Sequence, residues 1–519
     1  MLLKLVAAAS LLLTFTPASH LPATPATPAS LPVTAAPAAA ESGWLTKYRA
    51  LEAQIGHTAY NNPDSANLAW GESYIMRSYL DVYAATGDTA WLDKLVTHAD
   101  TVIADADDID GDGFLGWSTG RYSPPELANS SFETAASGDT TLPASWTRFQ
   151  DTGSHIYRTT DVPSGTGSRS VRVVSDQTKW KKLRQKIGSS YAGGTKHLLR
   201  AWGKRTGSVV GRVVLRDGST TLCMLEFAST AWQFKETTCD VPAGRAPEVW
   251  LEHASYTVSG SAYFDDVRLS GIFPYIVHDG MIGIPIAEFV RLVAKTPALA
   301  GYNAKAATYR AFLENELVPR WEHSAYLGNT WNGTSYQQPP DVDTFSHTRA
   351  YDDLPFNMSL AFANLLNVLH EVNGDPAYLD RATRIAQWTK SHLTSSSGAY
   401  VWKYATYASQ KEDLSHGNVD LSAIVENHRR GQVFTAADMT AFTKTFKDNM
   451  WNGSTSAPVF SLYVDGTGVA NGVDYFLHSW LELAEFDRQV YTLAATKYAN
   501  FTPTNASHLI TLSRLLRLE

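Results

Sequence analysis

Along 68–104, apolar side chains recur at helical spacing, so each turn carries one oily face and one polar face. The run breaks at Gly87-Asp88, where a glycine ends one helix and an acidic residue caps the next. This predicts an αα-hairpin with its second helix over 90–104. The pattern returns at 354–380, where Gly374-Asp375-Pro376-Ala377-Tyr378-Leu379-Asp380 matches Gly87-Asp88-Thr89-Ala90-Trp91-Leu92-Asp93. Trp117 and Trp402 follow the two copies, each beyond a glycine-containing turn. A unit that recurs in this way buries its apolar face against its own copies. Further helices are expected over 282–293, 304–316, 420–430, 436–449 and 474–492.

From about 124 to 271 the helical period disappears, and short alternating runs take over. Examples are Ser170-Val-Arg-Val-Val, Ser208-Val-Val-Gly-Arg-Val-Val-Leu and Glu248-Val-Trp-Leu-Glu, separated by Gly, Ser and Thr. These predict a β-sandwich inserted between two helical blocks. The division is a leader and Pro/Ala/Thr-rich linker over 1–40, a first helical block over 41–123, the sandwich over 124–271, and a second helical block over 272–519. The fold class is therefore multidomain: helical hairpins forming an all-α (α/α) toroid, interrupted by an all-β sandwich.

Composition narrows the partners. The chain has 519 residues, 44% hydrophobic and 18% charged, which is globular rather than disordered. A net charge of -8 without a Lys/Arg-rich run argues against nucleic acid. An acidic polysaccharide remains open to it, since a local basic cleft overrides net charge. Lys4 followed by the apolar run 5–15 and small residues reads as a secretory signal peptide, so the mature chain is expected outside the cell, off the membrane, as a monomer. In an exported chain, Cys223 and Cys239 favour a disulfide over two reduced core thiols.

Two resemblances refine this. Leu127-Ala-Asn-Ser-Ser-Phe-Glu and Ala262-Tyr-Phe-Asp-Asp-Val-Arg-Leu resemble the first and last strands of jelly-roll carbohydrate-binding modules. Trp180, Trp202 and Trp232 are the aromatic candidates for sugar stacking, with at least one expected in the core. In the helical blocks, Tyr275-Ile-Val-His-Asp-Gly-Met-Ile, Leu354-Pro-Phe-Asn-Met-Ser, Trp402-Lys-Tyr and Glu412-Asp-Leu-Ser-His-Gly-Asn-Val-Asp resemble (α/α)-toroid polysaccharide lyases of the alginate and glucuronan type. More loosely, they resemble glucuronyl C5-epimerase domains. The resemblance implies β-elimination on a uronic-acid polymer, without metal or cofactor.

Elimination needs a neutralised carboxylate, a base at C5 and an acid at O4. By the resemblance, Asn357 donates to the carboxylate, His416 neutralises it or acts as base, and Tyr475 moves the proton, with Tyr404 as the other candidate. His416 is expected just before a helix, oriented by Glu412 or Asp413. His278, Arg349, Trp402, Tyr404, Glu412 and Asn418 are expected to bind substrate. Asp353 and Glu412 would instead serve an inverting hydrolase, and a non-catalytic glycan binder is the third reading. Asp108-Ile-Asp-Gly-Asp-Gly opens like a calcium loop, but the twelfth position is Thr119, so an acidic turn is the expectation.

Overall fold

The computed structural model describes residues 42–519 except 57, 58, 110, 124–126, 152–154, 188–194, 243, 324–329 and 339–350. The expected leader and linker over 1–40, and Arg349, lie outside the described residues. Ser42–Glu519 form one compact unit that holds both helices and a β-sandwich.

The longer helices are α1 Gly43–Ile55, α2 Ser73–Thr86, α3 Ala90–Ala104, α4 Ile276–Lys295, α5 Asn303–Phe312, α6 Phe356–Asn373, α7 Pro376–Ser391, α8 Leu414–Arg429, α9 Ala436–Lys444, α10 Gln489–Ala499 and α11 Ala506–Arg517. The repeated Gly-Asp step does what its chemistry requires. Gly87 and Gly374 end α2 and α6 in the left-handed conformation, at φ 71° and 74°. Asp375 then caps α7 by accepting from the amide of Ala377.

The inner elements pack in cyclic order. α2 lies against α4, α4 against α6, and α6 against α8. α8 meets the 3₁₀ turn Trp480–Glu485, which meets α11, and α11 returns to α2. Each carries an outer partner: α3 on α2, α5 on α4, α7 on α6, α9 on α8, α10 on the turn and α1 on α11.

The inner elements also run in one direction. Gly280 of α4 approaches α6 so closely that a Cβ would sit 2.8 Å from the Ala361 carbonyl carbon, and a Cβ on Gly283 would meet Leu365. Asn364 of α6 reaches Ser422 of α8 at 3.4 Å, and Glu371, further along α6, meets Arg430 just beyond α8 at 2.6 Å. Arg77 of α2 donates to both Ser422 at 2.7 Å and Glu288 at 3.0 Å.

The C-terminal end of this bundle is filled with paired charges. Arg291 and Arg430 meet Glu371 at 3.0 and 2.6 Å, and Arg429 meets Glu482 at 2.6 Å. Arg514 pairs with Asp81 at 2.9 Å and also with Glu482, which Arg517 meets at 2.7 Å. These charges are held in place because each faces an opposite one.

Two expectations shift. The helix expected over 474–492 is broken into the 3₁₀ turns Val473–Tyr475 and Trp480–Glu485 before α10. The Asn418 side chain satisfies backbone groups of this stretch that a helix would otherwise satisfy, accepting from Ser479 N at 2.9 Å and donating to Phe476 O at 2.7 Å. The helix expected over 420–430 begins earlier, at Leu414, because Asp413 caps it.

The sandwich lies between α3 and α4 in sequence. Its strands are β1 Thr147–Phe149, β2 Ile156–Thr159, β3 Ser170–Ser175, β4 Lys182–Lys186, β5 Thr195–Gly207, β6 Gly211–Asp217, β7 Thr220–Phe227, β8 Gln233–Val241, β9 Glu248–His253 and β10 Gly260–Gly271. They form two five-stranded antiparallel sheets, β7-β6-β9-β4-β1 and β8-β5-β10-β3-β2. Alternate residues fill the space between them, including Val171, Val173, Val213, Leu215, Val249, Leu251 and Phe264. Cys223 on edge strand β7 is disulfide-bonded to Cys239 on edge strand β8, with the Cα atoms 5.3 Å apart, so the bridge ties one sheet to the other.

Candidate functional site

The N-terminal ends of the inner elements share one side of the bundle, and there buried polar groups lack partners. Asn357 Oδ1, Ser359 Oγ and His478 Nδ1 are buried without a hydrogen-bond partner. Such groups are costly inside a protein, and a bound polar ligand would satisfy them. Helix N-termini add partial positive charge on the same side.

The segment from Glu412 to Ser479 builds the centre of this side, each residue with a separate task. Asp413 caps α8 by accepting from the amides of Ser415 at 2.8 Å and His416 at 3.0 Å. Its other oxygen sits 2.6 Å from His416 Nδ1, which fixes the ring and turns Nε2 outward. Gly417 is bare because a Cβ there would sit 2.9 Å from the Trp480 ring. Trp480 locks onto that gap and donates from Nε1 to Leu414 O at 3.0 Å. His416 therefore lies within the first turn of α8, not before it, and its side chain is 38% exposed.

Tyr404 joins this centre. Its carbonyl accepts from Phe356 N at 3.3 Å, beside Asn357 at the start of α6. Its ring lies 5.1 Å from the His416 ring. Asn357, Tyr404, Asp413 and His416 thus form one connected group.

Electrostatics shift their proton affinities. Burial works against the His416 imidazolium, but the hydrogen bond and charge of Asp413 outweigh it and raise the His416 pKa. Burial would raise Asp413, yet its bonds to His416 and Ser415 hold its carboxylate down at about 2. Burial and the acidic neighbours raise Tyr404, which keeps the phenol protonated at neutral pH.

Several expected site residues land elsewhere. The ring of Tyr475 stacks on Phe501 at 3.7 Å with Lys497 Nζ 3.9 Å above it, so even spacing along the chain did not bring it beside His416. Asn418 is fully buried and spends its amide on backbone, donating to Leu414 O at 3.0 Å as well as bonding 476–479; it is a tether rather than a substrate ligand. Trp402 is buried, donates to Asp420 Oδ2 at 2.8 Å and stacks on Trp480 at 6.5 Å, so it offers no face to a sugar.

His278 is buried in the first turn of α4, 2.8 Å from Ser65 Oγ, under Trp70, Tyr122 and Tyr275. Burial lowers its pKa to about 3, so it is a neutral support beneath the surface rather than a substrate-facing group. Asp279 beside it accepts from Trp321 Nε1 at 2.8 Å and pairs with Arg320 at 3.3 Å. Asp353 accepts from Asn332 and Ser335, both at 2.7 Å.

Glu412, Asp413 and His416 bring donor atoms within 4.8 Å of one another, the spacing a cation would need. His416 Nδ1 is already engaged by Asp413, however, and Glu412 turns to Asp420, so protons rather than a metal account for these contacts. In the 108–114 turn, Asp108 and Asp112 accept backbone amides of Gly113 and Phe114 at 3.2 and 2.9 Å.

The sandwich offers a second feature. On the outer face of the β7-β6-β9-β4-β1 sheet, Val214 and Glu252 point away from the core yet are buried, Glu252 in ion pairs with Lys182 at 2.6 Å and Arg216 at 3.0 Å. Aromatic rings and cations alternate along this face. Lys182 lies 5.0 and 5.1 Å over Trp180 and Trp250, and Arg184 lies 5.2 and 5.4 Å over Trp250 and Phe149. Trp250 Nε1 is buried without an acceptor. Trp202 and Trp232 belong to the other sheet, where Trp202 meets Phe234 at 5.5 Å and Trp232 meets Tyr263 at 6.4 Å. None of the three candidate tryptophans is in the sandwich core, where Trp146 sits instead. Sequence reading missed Trp250, although its place between Val249 and Leu251 on an alternating strand put it on the outer face.

No protein-family model matches the chain, and no curated protein matches it. Among solved structures, it is similar to the TmCBM61 module in complex with β-1,4-galactotriose, at 19% identity over 29% of this chain and 99% of that one, TM-score 0.23. It is similar to a family 16 carbohydrate-binding module at 22% identity over 24% of this chain and 89% of that one, TM-score 0.20. It is also similar to the CBM22-1 xylan-binding domain of Paenibacillus barcinonensis Xyn10C at 13% identity over 29% of this chain and 95% of that one, TM-score 0.23.

Proposed function

We propose that the protein is a secreted polysaccharide lyase. Its helical bundle is an (α/α) toroid that cleaves a uronic-acid polymer such as glucuronan or alginate by β-elimination, and its sandwich holds the glycan. The observation that carries this reading is the Asn357–Tyr404–Asp413–His416 group. It combines a histidine held in one orientation, a protonated phenol beside it and a buried amide oxygen without a partner.

In this reading His416 donates to the uronate carboxylate and makes the C5 proton removable, while Asn357 Oδ1 accepts from a sugar hydroxyl. The C5–H bond breaks, the C4=C5 double bond forms, and the C4–O4 bond breaks as O4 takes a proton. Tyr404 handles that proton: its phenol, protonated in the free protein, first gives its proton to solvent, the phenolate accepts from C5, and the resulting phenol donates to O4, so the reactive form is regenerated. The rings of the sandwich suit a sugar chain, since they stack on pyranose faces, with Lys182 and Arg184 held among them by Glu252 at 2.6 Å and Glu248 at 3.1 Å.

The test is ultraviolet absorbance during incubation with glucuronan, alginate, hyaluronan, heparosan and pectate. A rise from the conjugated C4=C5 bond is the expected result. New reducing ends without absorbance would replace elimination by hydrolysis.

A further inference from the structure

Behind His416 lies a buried pair of acids that the proposed chemistry does not use. Glu412 is fully buried, and Asp420 is 1% exposed. One oxygen of each acid has a donor. Glu412 Oε1 accepts from Asp413 N at 2.9 Å, and Asp420 Oδ2 accepts from Trp402 Nε1 at 2.8 Å. Two atoms remain, Glu412 Oε2 and Asp420 Oδ1, and as carboxylate oxygens both lack a donor. The two side chains are within hydrogen-bonding reach of each other. A single proton between them satisfies both atoms, whereas two bare carboxylates in a dry site repel.

We propose that Glu412 is a neutral carboxylic acid at the working pH, donating from Oε2 to Asp420, and that this acid pair positions His416 rather than acting on substrate. Glu412 Oε1 lies 3.9 Å from His416 Nδ1, close enough to compete with Asp413 if it were charged. Holding Glu412 neutral leaves Asp413 as the sole carboxylate bonded to Nδ1. The titratable groups that act on the pair are Asp413, His416 and Tyr404. The neighbouring elements present uncharged groups: Asn357 from α6, Phe442 from α9 against Trp402, and Trp480. Burial, then the nearby acids, also raise the Glu412 pKa. The assignment rests on the proposed lyase reading only for its link to turnover.

Infrared difference spectroscopy of the full chain in heavy water tests the proton without any substrate. The wild type should show a carboxylic-acid C=O band at neutral pH that Glu412→Gln removes. Its absence, or its survival in that variant, overturns the assignment even if no polymer is ever cleaved. On a cleaved polymer, Glu412→Gln should stay within about threefold of wild type, because its amide N–H replaces the acid O–H. Loss of turnover in a folded Glu412→Gln protein would make Glu412 a catalytic residue and overturn the assignment. Should that variant fail to fold, Asp420→Asn reads the same proton: its amide donates to Glu412, Glu412 ionises, and the band goes. The negative charge, moved from Asp420 to Glu412 with Oε1 3.9 Å from His416 Nδ1, should then move the alkaline limb of kcat/KM upward. An unmoved limb would overturn the positioning role.

Discussion

The two ends of the helical bundle are built from the same parallel elements but treat polar groups in opposite ways. At the C-terminal end, Arg291, Arg429, Arg514 and Arg517 each face a carboxylate. At the N-terminal end, Asn357, Ser359 and His478 carry buried atoms with no partner, and His416 is partly open. The first end closes the bundle and holds its register; the second is left for a ligand. Both are rich in charged and polar side chains, so it is the state of pairing that separates structure from chemistry.

The contrast breaks most sharply at Arg514. Replacing it with Met leaves Asp81 and Glu482 short of a buried partner and should cost about 3–5 kcal/mol of stability. Turnover per folded molecule should hold, as read by denaturant unfolding beside activity. At the open end His416→Ala should do the reverse. It should lower kcat by about 10²–10³-fold with little change in unfolding midpoint, because the lost charge serves the transition state.

Asp413→Asn is a smaller and more specific change. Asp413 raises His416, so the alkaline limb of the pH–rate profile should move to lower pH in the variant. The stability from this pair follows two signs. The raised His416 contributes fully below its unfolded value of about 6.5, and that is lost as pH rises through its folded pKa. Asp413 contributes above its unfolded value, and that is lost as pH falls through about 2. The pair should therefore stabilise the fold most between about pH 4 and 6.5, which thermal melts across pH would read.

The same contrast explains what could be read from the chain. The Gly87-Asp88 and Gly374-Asp375 steps were legible because a cap and a left-handed glycine act locally. The alternating strands were legible for the same reason, as were the two cysteines once export was assumed. His416 stood out through its motif, but the separate tasks of Asp413, Gly417 and Asn418 did not. Each depends on a partner far along the chain or on the exact first turn of α8. Tyr404 and Tyr475 could not be ranked from spacing, since the break at 476–479 depends on a side chain 58 or more positions earlier. The closed end was invisible for the same reason, as its arginines and acids come from many separate helices.

The most direct measurement is the rate of unsaturated-end formation by Tyr404→Phe and Tyr475→Phe on whichever polymer the wild type cleaves. The account predicts a loss of about 10²-fold or more for Tyr404→Phe and near wild-type turnover for Tyr475→Phe. A folded Tyr404→Phe protein at full rate, with Tyr475→Phe inactive, would contradict it.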